Sequence, residues 1–348
     1  MKNANDLQIN VIGAKSMMSK LWAAAAVLIL SISILSGCAD STMPGAEDDR
    51  LHIVCTTFPQ YDWVSALIEG NEAQYSLTLL MDKGGDLHNF QPSALDIARV
   101  SECDLFIYVG GESDGWVDDA LKEVVNPNLR VLNMMEAIQG RLVEEEHVEK
   151  MEGLHAEEEE RHNHDHDHEQ EYDEHVWLSL RNAEQIVEEI AVNLTALDCK
   201  NAGLYQRNCD QYTAALRALD TQFEQAVRAG TKDTLLFADR FPFRYFVKDY
   251  GLKYYAAFNG CSAETEAGFG TVAFLISKLD ELELGAVVVL DGSDDRLARV
   301  VIENTRNGNQ QVCILNSMQS VSRRDIRAGI RYLNVMEENL KVLRKLLS

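Results

Sequence analysis

Residues 180–229 read LRNAEQIVEEIAVNLTALDCKNAGLYQRNCDQYTAALRALDTQFEQAVRA, a stretch without proline and with a single glycine. Ile186, Ile190, Leu194, Leu204, Tyr212, Leu216, Leu219 and Phe223 recur with a helical rhythm, which predicts one or two long amphipathic helices. On either side the pattern changes to short apolar runs alternating with longer amphipathic ones. Before it, 51–57, 76–81, 105–109 and 131–134 read as buried strands of a parallel sheet, with helices at 61–69, 94–100 and 116–124. After it, strands at 234–237, 254–258, 286–290 and 312–315 alternate with helices at 243–250, 266–281 and 295–305. The expected class is α/β: two similar lobes, each a mostly parallel four-stranded sheet flanked by helices, joined by a long rigid helix. The expected boundaries are an N-terminal lobe at 51–180, linking helices at 181–229 and a C-terminal lobe at 230–348.

The 348 residues, 46% hydrophobic, suffice for two domains with their own cores. The formal charge is −24, and about half of it lies in an acidic, His-rich insert at 144–174. No basic stripe is present to release counterions from phosphates, which excludes nucleic acid as a partner.

Residues 1–37 read as an export signal. Lys15 and Lys20 precede an apolar stretch at 21–34, and Leu35-Ser36-Gly37-Cys38 then resembles a lipobox. That resemblance implies cleavage before Cys38, lipidation of Cys38 and a polar tether at 38–50, so that the folded body is extracytoplasmic and anchored to the cell membrane by lipid. An uncleaved anchor is the alternative, although the apolar stretch is shorter than the ~20 residues a span needs. Six cysteines remain after Cys38, none in a CxxC pair. Cys55, Cys103 and Cys313 fall in strand-like runs where a buried free thiol is expected, while a Cys199–Cys209 pairing stays open.

From His162 to His175 the insert alternates imidazoles with carboxylates, R-H-N-H-D-H-D-H-E-Q-E-Y-D-E-H from Arg161, and runs into V-W-L-S-L. Neutral imidazole is a good ligand for zinc, copper or nickel, so this tract points to a transition metal. His162, His164, His166 and His168 are candidate weak, exchangeable ligands, a local collector of cations; the plainer reading is a solvated loop.

Ligands of open parallel sheets bind beyond the carboxyl ends of the strands. Gly84-Gly85-Asp86-Leu87-His88-Asn89-Phe90-Gln91-Pro92-Ser93 follows the second predicted strand. Taken alone, His88 reads as an ordinary loop histidine rather than a ligand. Asp86 is placed to hydrogen-bond its imidazole, and Pro92 suits the first turn of the next helix.

With these residues the chain resembles the metal-specific solute-binding lipoproteins of zinc and manganese ABC transporters, the cluster A-I family. The likeness runs through Thr56-Thr57-Phe58-Pro59, the segment around His88, Gly110-Gly111-Glu112-Ser113-Asp114-Gly115-Trp116-Val117, Glu174-His175-Val176-Trp177-Leu178-Ser179 and Asp249-Tyr250-Gly251-Leu252. The insert just before H-V-W-L is similar to that of the zinc-type members. The resemblance implies a monomer that captures Zn2+, or Mn2+, between its lobes and passes it to an ABC permease. It also implies one ligand from each of four loops, with His88 and His175 as the first lobe's pair.

The second lobe departs from that pattern. Arg240 stands in Arg240-Phe241-Pro242-Phe243-Arg244-Tyr245-Phe246 where the family has His or Glu, and a guanidinium has no lone pair for a metal. Asn316, in Ile314-Leu315-Asn316-Ser317-Met318-Gln319, stands where Asp or His is usual, and its amide oxygen is a weak zinc ligand. Three explanations are open. A relocated ligand comes from Glu264, Glu266 or the nearby Asp239; water completes a two-histidine site; or the site has lost its ion. Glu264 reads equally well as a helix cap or an ion-pair partner of Arg240.

An enzyme is the rival class. A zinc hydrolase with an H-E-x-x-H helix fails here, because His168-Glu169-Gln170-Glu171-Tyr172 lacks the second histidine, and no G-x-S-x-G, Walker or G-x-G-x-x-G motif follows a strand. No enzymatic activity is expected. A surface adhesin built on the same fold leaves no readable motif and stays open as an alternative.

Overall fold

In the computed structural model, which describes residues 49–145, 171–258 and 267–348, two four-stranded sheets repeat one plan. Strand β1 (Leu51–Cys55) pairs in parallel with β2 (Tyr75–Leu79) and with β3 (Leu105–Tyr108), and β4 (Arg130–Asn133) extends the sheet in the order β2-β1-β3-β4. In the second lobe β5 (Thr234–Phe237), β6 (Lys253–Ala256), β7 (Ala286–Leu290) and β8 (Gln311–Leu315) take the order β6-β5-β7-β8, again all parallel. The expected α/β class with two like lobes is the observed one.

The central strands β3, β5 and β7 carry near-continuous apolar runs because they are buried on both faces. Successive side chains alternate between faces. Ile53 and Cys55 join the large core shared with the linking helices, whereas Val54 packs on the outer side with Val100 and Phe106. In the second lobe Leu235 and Phe237 face the shared core while Leu236, Val287 and Val289 face Leu275 and Leu279.

Helices α1 (Phe58–Leu67), α2 (Ala94–Glu102), α3 (Val117–Ala120) and α4 (Met134–Ala137) belong to the first lobe. The predicted helix at 116–124 is α3 continued by a single 3-10 turn, and Pro92 falls before the Ser93 cap of α2 rather than in its first turn. The stretch at 180–229 forms α5 (Leu180–Leu197) and α6 (Ala202–Ala229). Arg181 pairs with Asp220 and Glu224 while Arg217 pairs with Glu184 and Glu188, so the two helices run antiparallel. At 28 residues α6 spans about 42 Å.

The second lobe adds α7 (Arg244–Tyr250), α8 (Phe269–Glu281), α9 (Arg296–Glu303), α10 (Arg323–Arg327) and α11 (Tyr332–Leu346). Helix α11, absent from the sequence reading, crosses back to the first lobe. The Tyr332 amide donates to Asp62 Oδ2 at 2.9 Å, and its ring meets Trp63 edge-on.

Cys55, Cys103, Cys199, Cys209 and Cys313 are free thiols. The Cys199–Cys209 pairing left open by the sequence is not formed: Cys199 is exposed in the turn between α5 and α6, while Cys209 is buried on α6. The signal segment, Cys38 with nearly all of the tether, the collector histidines His162, His164, His166 and His168, and Cys261, Glu264 and Glu266 lie outside the described residues. The described ends of the insert meet at an antiparallel bridge between Glu144 and Tyr172, with the Glu145 amide donating to the Glu171 carbonyl at 2.9 Å.

Candidate metal centre

The loops beyond β2, β3, β5, β7 and β8 converge where the lobes meet. His88 lies in a 3-10 turn after β2, Leu87–Asn89, where Asp86 Oδ1 accepts from the His88 backbone amide at 3.1 Å. His175 caps the 3-10 turn Val176–Leu178 that leads into α5 and is fully buried. The two residues are 87 positions apart in the chain, yet their Nε2 atoms stand 3.4 Å apart.

Each imidazole is oriented through its other nitrogen. His175 Nδ1 lies 3.1 Å from Asp173 Oδ1, which also accepts from the His175 amide at 2.8 Å. His88 Nδ1 lies 2.6 Å from Ser113 Oγ and 3.5 Å from Glu174 Oε2. Glu174 Oε1 in turn accepts from the Ser113 amide at 2.8 Å. Hydrogen bonds at Nδ1 fix the tautomer that leaves the Nε2 lone pair for a metal. Glycine at 111, with φ +82°, lets the backbone pass against Glu174, since a Cβ there would overlap that carboxylate. Burial, followed by the neighbouring His175, pushes His88 down to about 4, against the opposing pull of Glu174 and Asp173, so the ring is neutral near pH 7.

Asp86 acts differently from the expectation. Its Oδ1 is 3.8 Å from His88 Nε2 and serves the backbone turn, while Oδ2 pairs with Arg240 across the cleft; Ser113 holds the imidazole instead.

The other second-lobe candidates do not converge on the imidazoles. Asp239 accepts from the Arg240 amide at 2.8 Å through Oδ1 and from the Leu290 amide at 3.0 Å through Oδ2, which ties the ends of β5 and β7 together. Asn316 Oδ1 accepts from the Met318 amide at 2.8 Å. Among the described residues, the second-lobe side chain that does reach the pair is Gln319, whose Nε2 is 2.8 Å from His175 Nε2. Among the described residues no set of three or more His, Cys, Asp and Glu side chains has metal-holding geometry.

Sequence reasoning missed Ser113, Asp173 and Gln319. The first two sit within quoted motifs or beside them, but their roles depend on contacts between loops distant in the chain. Gln319 carries no local signal.

The lobes are stitched around this centre. Trp177 Nε1 donates to the Ser317 carbonyl at 2.9 Å and Tyr332 Oη donates to the Trp177 carbonyl at 2.6 Å. Tyr245 Oη donates to the Asp173 carbonyl at 2.8 Å, and Ser179 Oγ to Asp249 Oδ2 at 2.5 Å. Lys83 bridges Ser322, and the Arg323 amide donates to the Asp82 carbonyl at 2.7 Å. A cavity of about 510 Å³ lies between the lobes, lined by Asp86, Arg240, Asp291 and Gln319 among others.

Comparison with known proteins agrees with this architecture. The chain is 27% identical over 330 residues to the high-affinity zinc uptake system protein ZnuA of Bacillus subtilis (strain 168), covering 94% of this chain and 98% of that protein. It is 27% identical over 302 residues to the zinc-binding lipoprotein AdcA of Streptococcus pneumoniae serotype 4, covering 86% of this chain but 56% of AdcA. Among solved structures, the metal-dependent lipoprotein YcdH of Bacillus subtilis superposes with a TM-score of 0.68 at 23% identity, over 86% of this chain and all of that one. The Zn(II)-bound ZnuA-like domain of S. pneumoniae AdcA gives 0.66 at 23%, covering 86% and 99%. A laminin-binding protein of Streptococcus agalactiae, described as having adhesin and metal-transporting activity, gives 0.66 at 18%, covering 86% and 100%. The model of the zinc-uptake complex component A, periplasmic (ZnuA), matches residues 53–346, and the chain belongs to that family of extracytoplasmic zinc-binding components of ABC transport, which are not enzymes.

Proposed function

We propose that this chain captures zinc between its lobes on His88 and His175 and hands it to an ABC permease, while lipid on Cys38 holds it at the membrane. The observation that carries the site assignment is the 3.4 Å separation of the two Nε2 atoms. Two nitrogens each about 2.0–2.1 Å from a tetrahedral zinc stand roughly 3.3 Å apart. The hydrogen bonds at both Nδ1 atoms support the same reading, since they present the lone pairs to one point. Capture is binding with no bond-making chemistry, and release requires the stitched loops of the two lobes to part. His162, His164, His166 and His168 act as a collector that raises the local cation concentration near the cleft. On this reading the second lobe contributes little to coordination through Asp239 or Asn316, whose side chains serve the backbone, and Glu264 stays a candidate third ligand.

Calorimetric zinc titration tests the assignment. Wild type is expected to show a tight component and a weak multi-ion component. His88→Ala and His175→Ala each abolish the first, and deletion of residues 147–168, which leaves the Glu144–Tyr172 bridge intact, removes the second. A tight component surviving in the double histidine variant sinks the assignment.

A further inference from the structure

We propose that the basic face at the seam of the two lobes, formed by Lys83, Arg323, Arg324 and Arg327, seats an acidic protein surface, that of the permease which receives the metal. The inference rests on the capture-and-delivery reading above and names its docking surface.

The chain carries a formal charge of −24, with 32 basic against 56 acidic residues. Against that background residues 323–331 read Arg-Arg-Asp-Ile-Arg-Ala-Gly-Ile-Arg, rich in arginine with a single carboxylate. That carboxylate, Asp325, is taken up by the cap of α10, where it accepts from the Ser322 amide at 3.0 Å and from the Ser322 hydroxyl at 2.5 Å. Arg324 and Arg327 stand three positions apart on α10, so they are neighbours on its surface, and both are exposed. Among the described residues neither makes an ion pair, nor does the exposed Lys83. Arg331 belongs elsewhere, since it lies 3.7 Å from Asp62.

Both lobes build this face. Lys83, in the loop after β2, bridges Ser322, in the loop after β8. The Arg323 amide donates to the Asp82 carbonyl at 2.7 Å, and its guanidinium pairs with the Asp82 carboxylate. The same loops lead to His88, five residues beyond Lys83, and to Gln319, three before Ser322. The Arg323–Asp82 pair is a clasp that opens when the lobes part. A carboxylate on the partner competes with Asp82 for the same guanidinium, so docking loosens the seam and is coupled to release of the metal.

The patch fits a protein rather than a lipid surface. At physiological salt exposed charges interact over about 8 Å, so these cations engage acidic side chains set opposite them. A broad anionic bilayer meets the whole molecule, whose excess charge is negative and is repelled. The patch also falls short of the long basic stripe that nucleic acid requires.

The test is uptake of radiolabelled zinc by the native cell carrying wild type, no copy of the chain, or Arg324→Glu/Arg327→Glu. The charge-reversed protein should bind zinc in calorimetry as wild type does, yet support uptake roughly tenfold slower. Arg324→Lys/Arg327→Lys should keep the wild-type rate. Full uptake with the charge-reversed protein, where cells without the chain take up far less, overturns the docking surface and leaves the delivery reading standing. Uptake that is the same without the chain overturns both. Two further outcomes assign the face to another occupant and overturn the proposal. One is sedimentation of wild type with phosphatidylglycerol vesicles that the glutamate pair abolishes; the other is a loss of uptake that vanishes when residues 147–168, in the acidic insert, are deleted as well.

Discussion

Asp62 to Asn is expected to stabilise this protein at neutral pH and to lose that advantage in acid. Asp62, on α1, is almost fully buried; its Oδ2 accepts from the Tyr332 amide at 2.9 Å and its Oδ1 lies 3.7 Å from Arg331. Burial outweighs these partners and pushes the carboxyl from 3.8 up to about 6. The folded chain therefore holds a proton that the unfolded chain has released. Its stabilising contribution is present below pH 3.8 and is lost as the pH climbs toward about 6. At about 1.4 kcal/mol per pKa unit, most of a shift of roughly two units acts between pH 4 and pH 7, a loss of about 2 kcal/mol. Asparagine keeps an oxygen for the Tyr332 amide and does not titrate. Urea unfolding of both proteins at the two pH values isolates the effect, because the titration of every other group cancels in the difference. The variant should gain about 2 kcal/mol on wild type between pH 4 and pH 7. A difference that stays constant across that range refutes the reasoning, and with it the idea that an ionisable group under the Tyr332 crossing sets part of the pH dependence.

Three other perturbations probe the joint between the lobes and the centre. Trp177→Phe deletes the indole donor to the Ser317 carbonyl and should cost about 1–3 kcal/mol, read by thermal or denaturant unfolding; an unchanged midpoint means that the carbonyl finds another donor. Gly84→Ala forces a side chain into φ +73° and sets its Cβ 2.5 Å from the Ser320 carbonyl oxygen, so small-angle scattering should show a more open molecule and unfolding a loss of about 1–3 kcal/mol. Asp173→Asn removes the charge behind His175 Nδ1 and should weaken zinc about 10- to 100-fold, measured by competition with a chelating dye; unaltered affinity means that Asp173 does not tune the ligand.

Much of the architecture was legible from local pattern. Parallel strands buried on both faces must be continuously apolar, and runs such as 234–237 and 286–290 coincide with β5 and β7 because nothing polar interrupts them. Helix α11 carries a legible pattern too, with Tyr332, Val335, Met336, Leu340 and Leu343 on one face, but its return to the first lobe depends on the Tyr332–Asp62 contact between residues 270 positions apart. His88 and His175 stood out through their motifs. Asp239 drew attention as a carboxylate near Arg240, yet a loop that leaves one strand and meets the next needs acceptors for the Arg240 and Leu290 amides, and that need claims its side chain.

The sequence by itself determined the duplicated α/β plan, the helical joint and the two imidazoles, because hydrophobic period and residue chemistry are local properties of the chain. Only the tertiary structure decided what each polar group does. The 3.4 Å approach of His88 and His175, the Asp86–Arg240 pair and the reach of Gln319 to His175 join residues 87, 154 and 144 positions apart. A hydrogen bond or coordination bond is made or lost within an ångström, and such distances are set by how the two lobes close, which no local stretch of sequence encodes.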